Sequence, residues 1–292
     1  DSLRSAEFAS IRGSVFNYVF NNVYPISGDG SSLKPFVINT EKDFGYIDLM
    51  LYAEYSIEKD IEFVDFKTIG TGLVFSGVLK GNTGDDISVE GGKIISLKNV
   101  TAPLVYNNVG KINDLSVNVE YKAEVGKGET FRYGAIAVIS EGEIKNVTVA
   151  GNVEITSKTQ DTTLYVSGFV AESRGGGVEG EFSKLQNSIS ALNIKINGGG
   201  TVYTGGYAAI VTNGSPKFSY GIATGSITVN GAKTTYAGLL VGLSHGVCNW
   251  QLGENASVEY TYTVTIDGTE IEKFDEEGNP KTENFCGLTF AG

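Results

Sequence analysis

The chain has 292 residues and a net charge of −12, from 34 acidic and 22 basic side chains. This charge argues against binding to DNA or RNA, which a negative surface repels, and no apolar run reaches the roughly 18 residues of a membrane-spanning helix. The 39 glycines, together with frequent β-branched and aromatic residues, predict many short strands joined by tight turns.

Residues 1–27 contain apolar side chains whose spacing fits either an amphipathic helix or an alternating strand. These side chains are Phe8, Ile11, Val15, Phe16, Val19 and Phe20. Stacked strands leave their first layer exposed, so we expect this segment to form an N-terminal cap. The alternative is an assembly arm that adds a strand to a neighbouring subunit.

A short helix is predicted after the first strand. Thr40 can cap its N-terminus and Asp43 follows three residues later, which is an acidic version of the capping box. The apolar stripe of this helix consists of Phe44, Ile47 and Leu51. We expect this helix to cover the N-terminal side of the repeats that follow.

Five segments after residue 100 share a small or aliphatic core and one fixed internal spacing. Their first positions are Ala102, Gly134, Gly168, Gly206 and Gly238. A glycine follows eight residues after each first position, at Gly110, Gly142, Gly176, Gly214 and Gly246. The later four segments also have a tyrosine shortly before the first position: Tyr133, Tyr165, Tyr203 and Tyr236. We interpret the second set of glycines as structural turn residues.

The strand after each turn glycine alternates apolar and polar residues. Its apolar members are Ile112, Leu115 and Val117 in one repeat and Ile144, Val147 and Val149 in the next. We expect these side chains to face one interior, and a single repeat cannot bury them alone. The sequence therefore predicts an all-β fold, a right-handed parallel β-helix (solenoid) over residues 28–256. A β-sandwich is the rival fold, but it does not require a fixed glycine spacing.

The order of motifs resembles bacterial surface adhesins with GLUG-type β-helix repeats. The residues that carry this resemblance in the first part of the chain are Pro35, Phe36, Ile38, Thr40, Tyr55, Ile57, Asp60, Ile61, Ile69, Gly70, Phe75, Gly77, Gly81 and Asn82. With the later repeats, the similarity extends over roughly residues 28–250. It implies extracellular display, often with adhesion or matrix binding, and it does not imply catalysis.

The C-terminal residues 257–292 predict a β-hairpin cap. Residues 258–266 alternate cleanly, Asp267-Gly268 is a strong hairpin turn, and residues 270–274 supply the return strand. The two cysteines, Cys248 and Cys286, allow one disulfide bridge or two free thiols. The sequence leaves these two states open.

Candidate catalytic groups are few. The single histidine, His245, excludes a zinc centre with several histidines and fits a turn residue. Carboxylate pairs of the kind used in glycoside hydrolysis are conceivable on two turns, with Glu141 and Glu143 on one and Glu172, Glu179 and Glu181 near the other. Each of these acids fits a solvated turn position equally well. We therefore expect no catalytic residues and no enzymatic activity.

Calcium is the most plausible ligand, because several acidic side chains lie in predicted loops. The weak candidates are Asp85, Asp86, Asp275 and Glu276. These positions lack the regular spacing of known calcium loops, and no phosphate-binding loop is present. We expect no cofactor apart from this possible Ca²⁺.

The leading interpretation is an extracellular structural or adhesive protein of a bacterial cell surface. Its partner would be a host or matrix protein, a glycan, or copies of itself. One alternative is a self-assembling surface-layer or filament subunit. The other is a carbohydrate-active enzyme, since parallel β folds also carry polysaccharide lyases and glycosidases.

Overall fold

The computed structural model describes residues 26–81, 94–175, 184–213, 217–219, 222–245, 249–251, 262–277, 279, 281, 284 and 288–289. Within these ranges, no helix has the length and hydropathy needed to cross a membrane. Several predictions lie outside the described residues. They concern the segment 1–25, Asp85, Asp86, Gly176, Glu179, Glu181, Gly214, Gly246, Cys248 and Cys286.

The described chain forms 26 strands. In chain order the first thirteen are β1 (Phe36–Ile38), β2 (Glu54–Ile57), β3 (Ile61–Glu62), β4 (Ile69–Phe75), β5 (Val78–Gly81), β6 (Ile95–Val100), β7 (Val105–Asn108), β8 (Lys111–Val125), β9 (Thr130–Gly134), β10 (Ala137–Ser140), β11 (Glu143–Ser157), β12 (Thr163–Ser167) and β13 (Val170–Arg174).

The remaining strands are shorter on average. They are β14 (Lys184–Gln186), β15 (Ile189–Asn197), β16 (Thr201–Gly205), β17 (Ala208–Asn213), β18 (Lys217–Ser219), β19 (Ile222–Ala223), β20 (Ser226–Asn230), β21 (Thr234–Gly238), β22 (Val241–Ser244), β23 (Asn249–Gln251), β24 (Thr263–Ile266), β25 (Thr269–Glu270) and β26 (Leu288–Thr289).

These strands pair into three sheets with fifteen, seven and four members. The main path of the largest sheet is β1-β2-β5-β8-β11-β15-β20-β24-β25, and the shorter strands β3, β6, β14, β18, β19 and β23 branch from it. The seven-stranded sheet has the order β26-β22-β17-β13-β10-β7-β4, and the four-stranded sheet has the order β21-β16-β12-β9. All pairs are parallel except β24 with β25.

Parallel partners come from neighbouring repeats, so equivalent positions fall into register. Val147 lies opposite Leu115 in the largest sheet, and Tyr165 lies opposite Tyr203 in the four-stranded sheet. The predicted interior positions of the two best-matched repeats are all buried: Ile112, Leu115, Val117, Ile144, Val147 and Val149. This part of the sequence interpretation is confirmed. Because equivalent positions are in register, one type of side chain can form a continuous row across several strands.

The predicted right-handed β-helix solenoid with a cap at each end is contradicted by the sheet layout. A uniform set of coils would place the same number of strands in every sheet, but the three sheets have fifteen, seven and four strands. The largest sheet also branches and ends in an antiparallel strand. The physical reason is that the repeats differ in length: among the described residues, those that contribute strands to the four-stranded sheet lie within 130–238.

The predicted N-terminal helix forms, between the first two strands of the largest sheet. Helix α1 (Glu41–Phe44) and a following 3-10 helix (Gly45–Leu49) connect β1 to β2, which pair with each other. The hydroxyl of Thr40 accepts a hydrogen bond from the amide of Asp43 (3.2 Å), and the Asp43 carboxylate accepts one from the amide of Asn39 (3.1 Å). The helix therefore connects the first two strands on the main path of the largest sheet.

The predicted C-terminal hairpin cap is also corrected. Asp267 and Gly268 both have positive φ, at 46° and 84°, as a tight hairpin turn requires. However, β24 pairs in parallel with β20 and so continues the largest sheet, while the return strand β25 has only two residues. The segment closes this sheet and does not form a separate module.

Two of the predicted turn glycines fall in the described residues, and both are required by close backbone approach. A Cβ at Gly110 would lie 2.1 Å from the carbonyl oxygen of Gly77, and one at Gly142 would lie 2.2 Å from that of Gly110. Neither glycine has a positive φ. The left-handed corner of the repeat lies four residues later, at Asp114 (φ 61°) and Asn146 (φ 54°). Asn and Asp tolerate this conformation better than other residues with a side chain.

Candidate functional site

The outer face of the four-stranded sheet carries a row of aromatic side chains. Register places Arg132, Tyr165, Tyr203 and Tyr236 opposite one another on β9, β12, β16 and β21. The Tyr165 and Tyr203 rings stack with centroids 4.8 Å apart, and the Tyr203 and Tyr236 rings with centroids 5.0 Å apart. This spacing matches the distance between neighbouring strands. We call Tyr165, Tyr203 and Tyr236 the tyrosine row.

Stacking determines which part of each tyrosine a ligand can reach. The rings are nearly parallel, at 6° and 7°, so the faces between them are covered. All three tyrosines are partly exposed. Burial raises the pKa of Tyr203, and the neighbouring Tyr165 and Tyr236 raise it further. The hydroxyl therefore stays protonated at neutral pH and can both donate and accept a hydrogen bond.

A second row of hydroxyl groups runs beside the tyrosines. It consists of Thr130, Thr163, Thr201 and Thr234, which lie opposite one another in the same four strands. We call these residues the threonine row. They precede the tyrosine positions by two residues, so strand alternation places both rows on one face of the sheet. This face therefore offers two parallel lines of hydroxyl groups.

The Arg132 end of this face meets a buried carboxylate of the seven-stranded sheet. Glu172, on β13, is 7% exposed and accepts hydrogen bonds from Arg174 Nε (2.8 Å) and Thr212 Oγ1 (2.9 Å). Arg132 Nε lies 3.8 Å from the other carboxylate oxygen. We call Arg132, Glu172, Arg174 and Thr212 the junction cluster, because it joins side chains of two sheets.

The charge of Glu172 is stabilised by its neighbours. Burial acts to raise the pKa of this carboxyl, but hydrogen bonds from Arg174 and Thr212 and the charges of both arginines together lower it. The same pairing raises the pKa of Arg174. Glu172 is therefore ionised at neutral pH, and a carboxylate in this state is a poor proton donor.

The two arginines keep most of their hydrogen-bond donors unused. The guanidinium carbon of Arg132 lies 4.8 Å from the centroid of the Tyr165 ring, so its flat face rests on the aromatic row. Arg132 makes no hydrogen bond within the described residues, and Arg174 donates only through Nε. The Arg132 and Arg174 side chains are 38% and 36% exposed. In the described part of the chain, the other N–H groups of both guanidinium planes have no hydrogen-bond partner.

The structure brings together only part of the predicted carboxylate sets. Glu172 lies in the junction cluster, whereas Glu179 and Glu181 fall outside the described residues. Glu141 contributes to the raised pKa of Arg174, and Glu143 begins β11. The repeat spacing identified the positions of Tyr165, Tyr203 and Tyr236 without assigning them a function, and it did not identify Arg132. Tyr165 alternates with the buried Leu164 and Val166, and this alternation is the sequence signal from which its outward orientation could have been predicted.

The predicted turn residue His245 and the predicted calcium candidate Asp275 both lie in the described residues. His245 is exposed, and its backbone amide donates to Val211 O (2.9 Å). The Asp275 carboxylate accepts hydrogen bonds from the amide (2.7 Å) and the side chain (3.2 Å) of Asn279, which lower its pKa. Within the described part of the chain, no group of three or more His, Cys, Asp or Glu residues is placed to hold a metal ion.

A second polar surface lies on the outer face of the largest sheet. Its amide row consists of Glu120, Asn152, Asn193 and Ser226, joined in that order by hydrogen bonds of 2.7, 3.4 and 3.0 Å. Its charged row consists of Lys122, Glu154 and Lys195. The two rows border a shallow groove of about 510 Å³. Here the side chains are exposed and satisfy one another, so fewer donors remain for a ligand than in the junction cluster.

Comparison with known proteins shows a likeness of fold. No family model matches the sequence, and no curated protein matches it. Among solved structures, the chain is similar to a Bacteroides ovatus protein described as a "putative immunoglobulin A1 protease". The TM-score is 0.58 and the identity 14%, with 87% of this chain and 83% of that chain covered. At this identity the likeness concerns the fold and carries no activity.

Proposed function

We propose that this protein is a non-enzymatic adhesive module of a bacterial cell surface that binds a glycan on the outer face of its four-stranded sheet. One observation carries the proposal: the in-register row Arg132–Tyr165–Tyr203–Tyr236, with the threonine row beside it. The extracellular location is part of the same proposal. It is supported by the resemblance of the repeats to surface adhesins.

Regular hydroxyl rows suit a polymer of repeating polar units. Each hydroxyl can donate and accept a hydrogen bond, and the strand spacing repeats the same pair of groups at about 4.8 Å. Individual hydrogen bonds to solvent-facing groups contribute about 1 kcal/mol or less, so useful affinity requires several at once. An extended glycan can contact successive tyrosines and threonines together, which a small solute cannot do.

The proposal contains no catalytic step and no resident cofactor. Glu172, the described member of the predicted acid set near β13, is engaged by two arginines and Thr212 and is held ionised. That environment supports a structural carboxylate more than an acid that protonates a leaving group. Asp275 and Glu276 are retained only as groups to which calcium could bind, and adding EDTA to the binding assay tests this.

The experiment is a glycan-array screen with the purified chain, followed by two variants with matched changes on different faces. Tyr203→Ser with Tyr236→Ser removes the middle and end of the tyrosine row. Asn152→Ala with Asn193→Ala removes two members of the amide row. We expect the first variant to lose at least about tenfold in affinity for the glycans that the unchanged chain binds, and the second to lose less than twofold.

Four results would contradict the proposal, and two of them would indicate another function. Binding to no glycan, or equal losses in both variants, would remove the four-stranded sheet as the binding face. Oligomers that grow with protein concentration in light scattering would favour the self-assembling subunit. Turnover of a polysaccharide or a polypeptide, measured by new reducing ends or new amino termini, would favour an enzyme.

A further inference from the structure

We propose that the glycan bound by this face is acidic, and that Arg132, assisted by Arg174, binds its carboxylate. This inference rests on the proposed function and specifies its ligand. The chain has only four arginines, and both of those in the described residues meet at Glu172. In a chain with a net charge of −12, two guanidinium groups beside one carboxylate are a local concentration of positive charge that favours an anionic ligand.

The geometry of Arg132 fits a ligand that approaches along the sheet face. Its flat side rests on Tyr165 (4.8 Å), and its Nε is 3.8 Å from Glu172, which is too far for a hydrogen bond. The ring thus holds the guanidinium in place without using its N–H groups. A guanidinium edge presents two parallel donors that match the two oxygens of a carboxylate, so an oriented arginine binds this group with little further ordering.

Within the described residues, Arg132 is less completely paired than Arg174. Glu172 lies between the two guanidinium groups, and its Oε1 already accepts hydrogen bonds from Arg174 and Thr212. Glu141 also acts on Arg174, whereas the carboxylate that the described residues place beside Arg132 is the more distant oxygen of Glu172. Arg132 is therefore the less neutralised of the two arginines. An incoming carboxylate would complete its pairing.

An acidic sugar explains the neighbourhood of Arg132 better than an acidic peptide does. The guanidinium is the first member of a row whose next three members are tyrosines, and the threonine row runs alongside. A sugar acid carries a carboxylate next to several hydroxyl groups, so it can pair with Arg132 and hydrogen-bond the adjoining rows at once. An acidic peptide would use the arginine and leave most of these hydroxyl groups without partners.

The test compares each acid with its own neutral form. Oligosaccharides that contain uronic or sialic acids are titrated calorimetrically beside their methyl esters at low ionic strength, with poly-glutamate as the peptide probe. We expect the acids to bind at least about tenfold more tightly than their esters, as charge-assisted hydrogen bonds to a fixed guanidinium would produce. We expect poly-glutamate to bind far more weakly than the acidic glycans.

Variants assign the preference to Arg132. Arg132→Gln should abolish the difference between acid and ester, and Arg132→Lys should restore only part of it, because an ammonium lacks the two-donor edge. Lys122→Gln removes one positive charge from the other face and should leave the preference unchanged. Circular dichroism and the unfolding midpoint of each variant verify that it is folded.

The outcomes separate this inference from the proposed function. Acids and esters that bind equally well would overturn the inference, while glycan binding that still depends on the tyrosine row would keep the proposed function. A preference for acids that persists in Arg132→Gln would also overturn it. Poly-glutamate binding as tight as that of the acidic glycans would replace the sugar with an acidic peptide. Failure of every glycan on the array would overturn both.

Discussion

Glu172 and Glu154 each lie between two basic side chains, one at the junction of two sheets and the other on the open face of the largest sheet. Glu172 pairs with Arg174 (2.8 Å) and Arg132 (3.8 Å), and its side chain is 9% exposed. Glu154 pairs with Lys122 (3.0 Å) and Lys195 (3.9 Å), and its side chain is 36% exposed. The distances are nearly the same, but the surroundings differ.

The difference shows that burial and donor shape decide whether such a group can become part of a site. Water screens the lysines around Glu154, and each ammonium can turn toward any acceptor. The arginines around Glu172 are fixed by a ring and by a buried carboxylate, so their free edges point in defined directions. A charged row on an open sheet is an ordinary surface feature, whereas the junction cluster is preorganised.

The largest expected effect comes from removing the charge of Glu172. Glu172→Gln keeps the size of the side chain but leaves two arginines without their counter-charge, so we expect a loss of about 2 kcal/mol in the free energy of unfolding. Glu154→Gln should leave the urea midpoint unchanged within error, because exposed pairs contribute little. Equal losses in the two variants would show that burial does not distinguish these two carboxylates.

The tyrosine row and the amide row can be compared in the same way. Tyr203→Leu removes two stacked ring contacts from the middle of the row and should cost about 1–2 kcal/mol. Asn193→Ala, in the middle of the amide row, should cost less than about 0.5 kcal/mol, because its hydrogen-bond partners can turn to water. Urea unfolding of both variants measures the two losses. A larger loss for Asn193→Ala would show that the amide row is the more important of the two for stability.

The smallest expected effect is a change in the pH dependence of stability. The pKa of Glu172 is lower in the folded chain than the value of about 4.3 that is usual for unfolded chains. Its contribution is therefore complete above that unfolded pKa and is lost as the pH falls through the folded pKa. Between about pH 6 and pH 3, the urea midpoint of Glu172→Gln should fall less steeply than that of the unchanged chain.

High salt sharpens this last measurement. At about 1 M NaCl the Debye length is near 3 Å, so exposed pairs such as Lys122–Glu154 are screened while the buried contacts of Glu172 persist. The difference in slope between Glu172→Gln and the unchanged chain should survive in this salt. If this difference in slope disappeared at high salt, Glu172 would behave like the exposed Glu154, which would contradict the contrast between the two carboxylates.

Much of the local structure was predictable because it depends on neighbours along the chain. Thr40 and Asp43 predict the start of a helix, and the hydrogen bonds that cap this helix are present. The repeat spacing identified Gly110 and Gly142, where stacked turns leave no room for a Cβ. The alternation of Val147 and Val149 indicated the interior, since the side-chain period of a strand is two. Ile144 faces the same interior from the other side of the left-handed corner at Asn146.

The layout of the sheets was not predictable in the same way. Residues 130–238 supply the four-stranded sheet, and the described residues of 94–129 place no strand there, although the glycine spacing already begins at Ala102 and Gly110. Whether a connecting stretch becomes a strand depends on partners in neighbouring repeats, and those partners are distant in sequence. A regular motif therefore indicated repetition without determining how many strands each sheet would have.

The sequence by itself determined the repeat, its buried rows and the residue types of its turns, because backbone sterics and side-chain alternation act within a few residues. The tertiary structure alone decided that Arg132 meets Glu172, Arg174 and Thr212. These residues come from β9, β13 and β17 and are separated by up to 80 positions. Their contact depends on how two sheets meet, and no spacing along the chain encodes that angle. The glycine repeat therefore predicted the stacked strands, and the packing of the sheets brought the residues of the candidate site together.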